Sequence, residues 1–336
     1  MVPVCSVGPI SQYLMPKTKL IALILVLAAG AILAQRRQGG WRGGRDFDTG
    51  SHIVRTEGDD VVDEDTVKTA REIASHSTGT PTWTNDPAFA RDVFTFVRVL
   101  YARAPQTPEI SWTASHWGWV TDFPDSDLNL SFRLQQVTSM RTDPDGRVLR
   151  LTDPALFDYP WIYMVEPGRL RLRDEEVEPL RNYLNNGGVL WADDFWGQKQ
   201  WDNFARAMKR VLPQHEFVDL DISNKIFHCV FDIKVPLNKL QTPNIRQGKD
   251  SLDPGSGRFG VTWEYYHDDY VPDGAKDMHV RAIYDDKSRI MVIATHNCDN
   301  GDGWEREGED DGFFHEFSEK RAYPLAVNIL FYLMTH

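Results

Sequence analysis

Cysteine is scarce in this chain. The three that occur, Cys5, Cys229 and Cys298, stand in no CxxC or Cys/His spacing, which excludes a structural zinc site and a disulfide-stapled miniature fold. Basic runs are also missing. Lys and Arg number 37 against 49 Asp and Glu, for a net charge of −12, and no Lys/Arg-rich face is present to track phosphates, so nucleic acid is excluded as a partner. There is no internal repeat, and no apolar run reaches the roughly 20 residues that a bilayer-spanning helix needs.

What is present begins with a leader. Lys17 and Lys19 precede an apolar run from Leu20 to Leu33 that ends among Ala28, Ala29, Gly30, Ala31 and Ala34. This is the pattern of a secretory signal peptide over residues 1–34, cut after Ala34 or, as second choice, Ala31. Met15 just before Lys17 is an alternative start to Met1. The expectation is an acidic, exported protein, periplasmic or extracellular, that meets a membrane only through this segment if it stays uncleaved. Cys229 and Cys298 then remain either as a pair or as two buried thiols.

Residues 35–92 read as a largely irregular linker. Gly and Arg dominate 38–45, acidic residues crowd 59–65, and a short amphipathic helix is expected around Thr66–Ser75 before Gly79, Pro81 and Pro87. Residues 93–336 read as a single α/β domain. Phe94–Tyr101, Trp161–Val165, Val189–Ala192 and Arg289–Thr295 are apolar, β-rich runs of buried-strand length, with a shorter one at Val148–Leu151. Helical faces fall between them: Leu130, Leu134 and Val137; Val177, Leu180 and Leu184, closed by Gly187-Gly188 with Pro179 near the helix start; and Trp201 to Leu212. A last helix carries Ala322, Leu325, Ala326, Ile329 and Leu333. Strand and helix alternate, so the expected fold is a three-layer, doubly wound, mostly parallel sheet. The stretch 215–286 interrupts it as a loop-rich insertion, with short strands expected around Ile226–Ile233 and Val280–Tyr284.

Four segments carry a family resemblance: Phe96-Val97-Arg98-Val99-Leu100-Tyr101, Trp119-Val120-Thr121-Asp122-Phe123-Pro124, Leu156-Phe157-Asp158-Tyr159-Pro160 and Gly187-Gly188-Val189-Leu190-Trp191-Ala192-Asp193-Asp194-Phe195. With them the last 240 or so residues resemble the bacterial domain of unknown function family numbered 4159. That family is itself similar to the class I glutamine amidotransferase-like fold. The resemblance implies a flavodoxin-like, amidotransferase-like sheet and no established activity. Where the amidotransferases carry their nucleophilic cysteine after a central strand, this chain has Asp193 or its neighbour. Of their later His-Pro-Glu step only His296 is retained, in His296-Asn297-Cys298. A Cys-His-Glu triad is therefore not expected.

Parallel sheets gather ligands at the carboxyl ends of their strands. The residues that fall there are Glu166, Asp193, Asp194 and His296, with Asp193, Asp194 and His296 the catalytic candidates. An adjacent carboxylate pair can bind a hard cation or divide into acid and base, and it can equally cap the following helix. Asp299 sits in a polar turn whose spacing fails as a calcium loop. Trp112, Trp117, Trp119, Trp196 and Trp201, with Asp122, Asp125 and Asp127, suit a sugar-binding lining as well as core packing. Asp122, Asp127, Glu166, Trp119, Trp196 and Asp299 are thus the ligand-binding candidates. The acidic run 305–311 reads as a solvated loop. No metal ligand set and no cofactor is called for by motif, although a divalent cation fits the carboxylates. Two functions stay open: an exported ligand-binding or scaffold protein that lacks the cysteine nucleophile, taking a small polar molecule or carbohydrate, and a hydrolase of small polar or glycan substrates acting through Asp193 and His296.

Overall fold

The apolar runs become strands because each alternates its side chains between two cores. The computed structural model describes residues 52–89, 92–103, 117–266 and 269–336. Two short strands, β1 (Ile53–Arg55) and β2 (Val61–Asp63), form an antiparallel pair. The main sheet holds β3 (Val97–Leu100), β4 (Arg147–Arg150), β5 (Trp161–Val165), β6 (Val189–Asp193), β7 (Val218–Asp219), β8 (His279–Tyr284) and β9 (Ile290–His296). Its seven strands run in the order β4-β3-β5-β6-β9-β8-β7. All neighbours from β4 to β9 are parallel, while β8 is antiparallel to both β9 and β7. The four long apolar runs of the sequence are therefore adjacent, in the order β3, β5, β6, β9.

Period-two alternation divides the core. Ile162, Met164, Leu190, Ala192, Val292 and Ala294 face one cluster, shared with Leu180, Leu184, Phe204 and Met208 from α2 (Asp174–Asn185) and α3 (Gly197–Val211). Trp161, Tyr163, Trp191 and Ile293 face the other, with Leu130 and Leu134 of α1 (Asp125–Val137) and with the C-terminal helix. That helix is π-helical over Phe314–Ala322 and continues as an α-helix over Tyr323–Thr335. Among the described residues no helix is long and apolar enough to cross a membrane. Residues 1–51, with the expected leader, lie outside the described residues, as do 104–116 and Trp112.

Several local expectations are corrected. Ile226–Ile233 is not a strand. Asn224 caps a 3-10 turn over Lys225–Phe227, and the Asn328 side chain takes the amides of Val230 and Phe231 and donates to the Phe231 carbonyl, so these groups have no need of a neighbouring strand. The helix expected at Thr66–Ser75 is only a 3-10 turn, Ala70–Glu72, because Glu72 folds back onto the Lys68 and Thr69 amides. Pro179 lies inside α2 rather than at its start. The loop-rich insertion contains an α-helix, α4 (Ile245–Leu252). Cys229 and Cys298 are free. Residues 52–89 bring Val62, Val67 and Ala70 into the core and line the free edge of β4, where Val148 donates to the Lys68 carbonyl at 2.9 Å.

One charge is buried in the middle of this sheet. Arg98 of β3 is wholly inaccessible. It donates Nε to both oxygens of Asp127 at 3.1 and 3.0 Å, Nη1 to the carbonyls of Trp119 and Thr121 at 2.9 and 2.8 Å, and Nη2 to Ser126 and Asp127. Every guanidinium N–H is thereby used. Removing one partner of such a pair strands the other charge in low dielectric. Asp127→Ala is expected to lower the unfolding free energy by about 3–5 kcal/mol in urea titration, and Arg98→Met with Asp127→Leu to recover only part of that loss, because the Trp119 and Thr121 carbonyls then lack their donor.

Candidate functional site

At the carboxyl end of the parallel strands the chain turns sharply in the same way several times. Glu166 after β5, Asp194 after β6 and Asn297 after β9 have φ of 49°, 53° and 61°, and Asp122 in the loop under Arg98 has 60°. Side chains other than glycine rarely enter this region, and each such residue costs on the order of 1–3 kcal/mol. The turns lock together: Glu166 N–H donates to the Asp193 carbonyl at 2.9 Å, Asp194 N–H to Cys298 at 3.1 Å and Asn297 N–H to Phe195 at 2.9 Å. The next turn runs into α5 (Asn300–Glu305), capped by Asp299 through its bond from the Asp302 amide at 2.7 Å.

The two members of the aspartate pair point apart. Asp193 is fully buried on the α1 side of the sheet. It accepts from Tyr163 Oη at 2.8 Å, from the Asn300 amide and side chain at 3.1 and 2.8 Å, and from the Thr295 hydroxyl. Burial pushes its pKa up to about 6 against the opposing pull of those bonds. The positive φ at Asp194 turns that carboxylate the other way, to accept from Trp196 Nε1 at 2.9 Å and to meet Asp122 and Asp299. One oxygen from each of Asp122, Asp194 and Asp299 lies within 4.8 Å of the other two, and all three residues are buried.

His296 is elsewhere. It follows Thr295 on the strand and so faces the opposite side, packed on Phe195 and Trp201, with Nδ1 toward Arg281 at 3.2 Å and Nε2 donating to the Gly197 carbonyl at 3.1 Å. Burial, helped by the Arg281 charge, lowers its pKa to about 3 and keeps it neutral. Asp127 is spent on Arg98. Trp119 and Trp196 are buried to within 2% and use their ring N–H on Glu64 and Asp194, so neither indole offers an open face to a sugar. Glu166 accepts from the Gly118 amide at 2.8 Å and acts electrostatically on Asp194.

Other residues join this edge that sequence reasoning did not select. Glu264 from the insertion is buried beside Asn244, and burial raises its pKa to about 7. Glu305, read as the start of a solvated loop, is fully buried as the last residue of α5; with Glu57 it holds Arg306, whose Nε lies 2.8 Å from Glu305 and 2.8 Å from Asp302. Burial opposes the Arg306 charge, and the carboxylates of Asp302, Glu305 and Glu57 outweigh it. His76 bridges Asp125 and Glu305 from outside the sheet domain. The helical spacing that could have revealed Glu305 is only six residues long, too short to register against the acidic run that follows.

Negative charge predominates at the edge. Burial, then the charges of Asp194, Asp302, Asp122 and Glu264, push the Asp299 carboxyl well above its ordinary range; burial, then Glu264, Glu166 and Asp122, do the same to Asp194. For Asp122, burial and the charges of Asp302 and Glu57 outweigh the pull of Arg98 and Arg306. Two like charges about 5 Å apart repel by roughly 3 kcal/mol even at an effective dielectric constant near 20. The trio therefore holds protons or meets a positive charge.

The family described as "Domain of unknown function (DUF4159)" matches residues 95–334, and the chain belongs to it. No curated protein matches the chain.

A pH dependence follows. Glu57 and Glu264 are moved by burial from 4.5 to about 7. Their folded pKa values lie above the unfolded ones, so the folded state holds more protons between about pH 4.5 and 7 and stability falls as pH rises through that window. Thermal melts of chelator-treated protein are expected to show a Tm several degrees lower at pH 8 than at pH 5, and a flat or rising profile would contradict the reading. In a second test, Asp193→Ala leaves four donors without their acceptor and is expected to cost about 2–4 kcal/mol in urea unfolding, the mark of a structural residue.

Proposed function

We propose that this member of the DUF4159 family is an exported binding protein, periplasmic or extracellular, whose strand-end edge takes a positively charged ligand. In this reading the sheet is a three-layer, doubly wound one of the flavodoxin-like and amidotransferase-like kind, with the cysteine nucleophile lost and its corner used for binding. The observation that carries the proposal is the meeting of three buried carboxylates, Asp122, Asp194 and Asp299, within 4.8 Å of one another. The largest charges acting on Asp299 are all negative. A positive ligand removes the repulsion and so has a differential affinity for the folded state.

The alternative, a hydrolase acting through Asp193 and His296, has less support. Both oxygens of Asp193 are engaged by protein donors, and His296 is neutral on the other side of the sheet. An anionic ligand such as a phosphate is disfavoured at this edge by charge alone.

The test is a ligand panel on chelator-treated, desalted protein at pH 7.5: calcium, magnesium and manganese chlorides, spermidine, and a lysine-rich peptide, each read by thermal melting. At least one is expected to raise Tm by several degrees at millimolar concentration, as mass action requires of a ligand specific to the folded state. If none does so while sodium chloride at equal ionic strength behaves the same, the proposal fails.

A further inference from the structure

Resting on that reading, we infer that the ligand is a hard divalent cation, calcium in the first place, coordinated by Asp122, Asp194 and Asp299. Three observations converge on the site. The first is the donor set. All three candidate ligand atoms are carboxylate oxygens, with no thiolate or imidazole among them, which selects calcium, magnesium or manganese over zinc and copper. Calcium binds oxygen at about 2.3–2.6 Å, so oxygens on opposite sides of it stand about 4.6–5.2 Å apart. The trio's oxygens all lie within 4.8 Å of one another, so a single calcium ion can be shared among them. Magnesium, at about 2.0–2.1 Å, demands a near-ideal octahedron, whereas calcium's flexible coordination accepts an irregular set of carboxylates completed by water.

The second is Asp122 Oδ2. It is buried and has no hydrogen-bond partner, although Asp122 is only 2% exposed. A buried carboxylate oxygen without a donor is costly, and this one lies against Gly301 at the start of the helix that Asp299 caps. The Asp122 backbone is itself held at positive φ, and the Arg98 anchor on the Thr121 carbonyl fixes the loop next to it. The third is Gly301. A Cβ at this position would collide with Asp122 Oδ2, so glycine keeps that oxygen in place at the first turn of α5.

A neighbouring group, Glu57, Asp122 and Glu305, is equally tight, but it already has its positive charge. Arg306 pairs with both glutamates, and His76 lies against Glu305. Among the described residues no Lys or Arg forms an ion pair with Asp122, Asp194 or Asp299, and Arg98 and Arg306 act on Asp122 only from farther off. Asp194 and Asp299 each have one oxygen oriented by a protein donor, Trp196 Nε1 and the Asp302 amide, which sets the planes of both carboxylates in advance.

Isothermal titration of calcium into chelator-stripped full-length protein at pH 7.5, with melts of the same samples, decides the matter. The expected result is one site per chain. Asp122→Asn is expected to weaken it by at least about 30-fold, since ligand charge sets calcium affinity, and to raise the Tm of the stripped protein because a buried charge has gone. Gly301→Ala is the second variant. It keeps every carboxylate and is expected to reduce calcium affinity by displacing Asp122, with far-UV circular dichroism unchanged. Should either variant fail to fold, the other carries the test. If spermidine or the peptide stabilises the protein and none of the three metals does, this inference falls while the cationic-ligand reading stands. If nothing stabilises it, both fall. Binding of magnesium but not calcium overturns the calcium assignment, and calcium affinity unchanged in Asp122→Asn overturns the site.

Discussion

The Arg98 guanidinium is the fixed point of this molecule. It stands in the middle of β3, under the rings of Phe123 and Tyr163 at 5.4 and 5.6 Å, and its donors hold the carbonyls of Trp119 and Thr121 together with the first turn of α1. The loop that delivers Asp122 to the strand ends is thus clamped from below by a charge that cannot lose its proton. From Tyr163 the connection continues by hydrogen bond to Asp193 and from Asp193 to Asn300. One continuous polar thread joins the Asp122 loop to the Asp299 turn. Asp194 lies between them, next to Asp193 in the chain.

The acidic edge illustrates how position on a strand decides chemistry. Asp193 and Asp194 are chemically identical, yet one continues the regular strand into a saturated pocket of donors while the other, at positive φ, leaves the strand and faces two more carboxylates. Thr295 and His296 divide in the same manner, the first toward Asp193 and the second toward Arg281 on the other face. Low dielectric magnifies both outcomes: where donors are plentiful the buried charge is tolerable, and where they are missing it is not.

Much of the fold was legible in the sequence. The apolar runs gave the four adjacent parallel strands, and their ends located the edge where Asp122, Asp194 and Asp299 meet. Face and turn geometry were not legible. Period two tells which residues of a strand are buried but not which way the residue after its end will turn, so Asp193 and His296 were grouped with Asp194 although side-chain alternation and backbone conformation separate them. Arg98 was hidden for a related reason. It sits inside an apolar run, and composition alone reads such a run as uniformly oily. The roles of Glu305, Arg306 and Glu264 depend on contacts between segments distant in sequence, where no local pattern records them. Asp302 was passed over for the same reason, since its partner Arg306 lies in what reads as a solvated acidic run.

The family match begins at residue 95, but the sheet does not look after its own border there. Residues 52–89 lie along β4, giving it Lys68 as a hydrogen-bond partner and Val62, Val67 and Ala70 as apolar cover, and His76 reaches back to Asp125 and Glu305. A chain trimmed to the matched region would present β4 as a bare edge strand with an uncovered apolar flank, which is the surface on which sheets recruit one another into aggregates. The boundary of homology and the boundary of solubility are therefore different places in this protein, some forty residues apart.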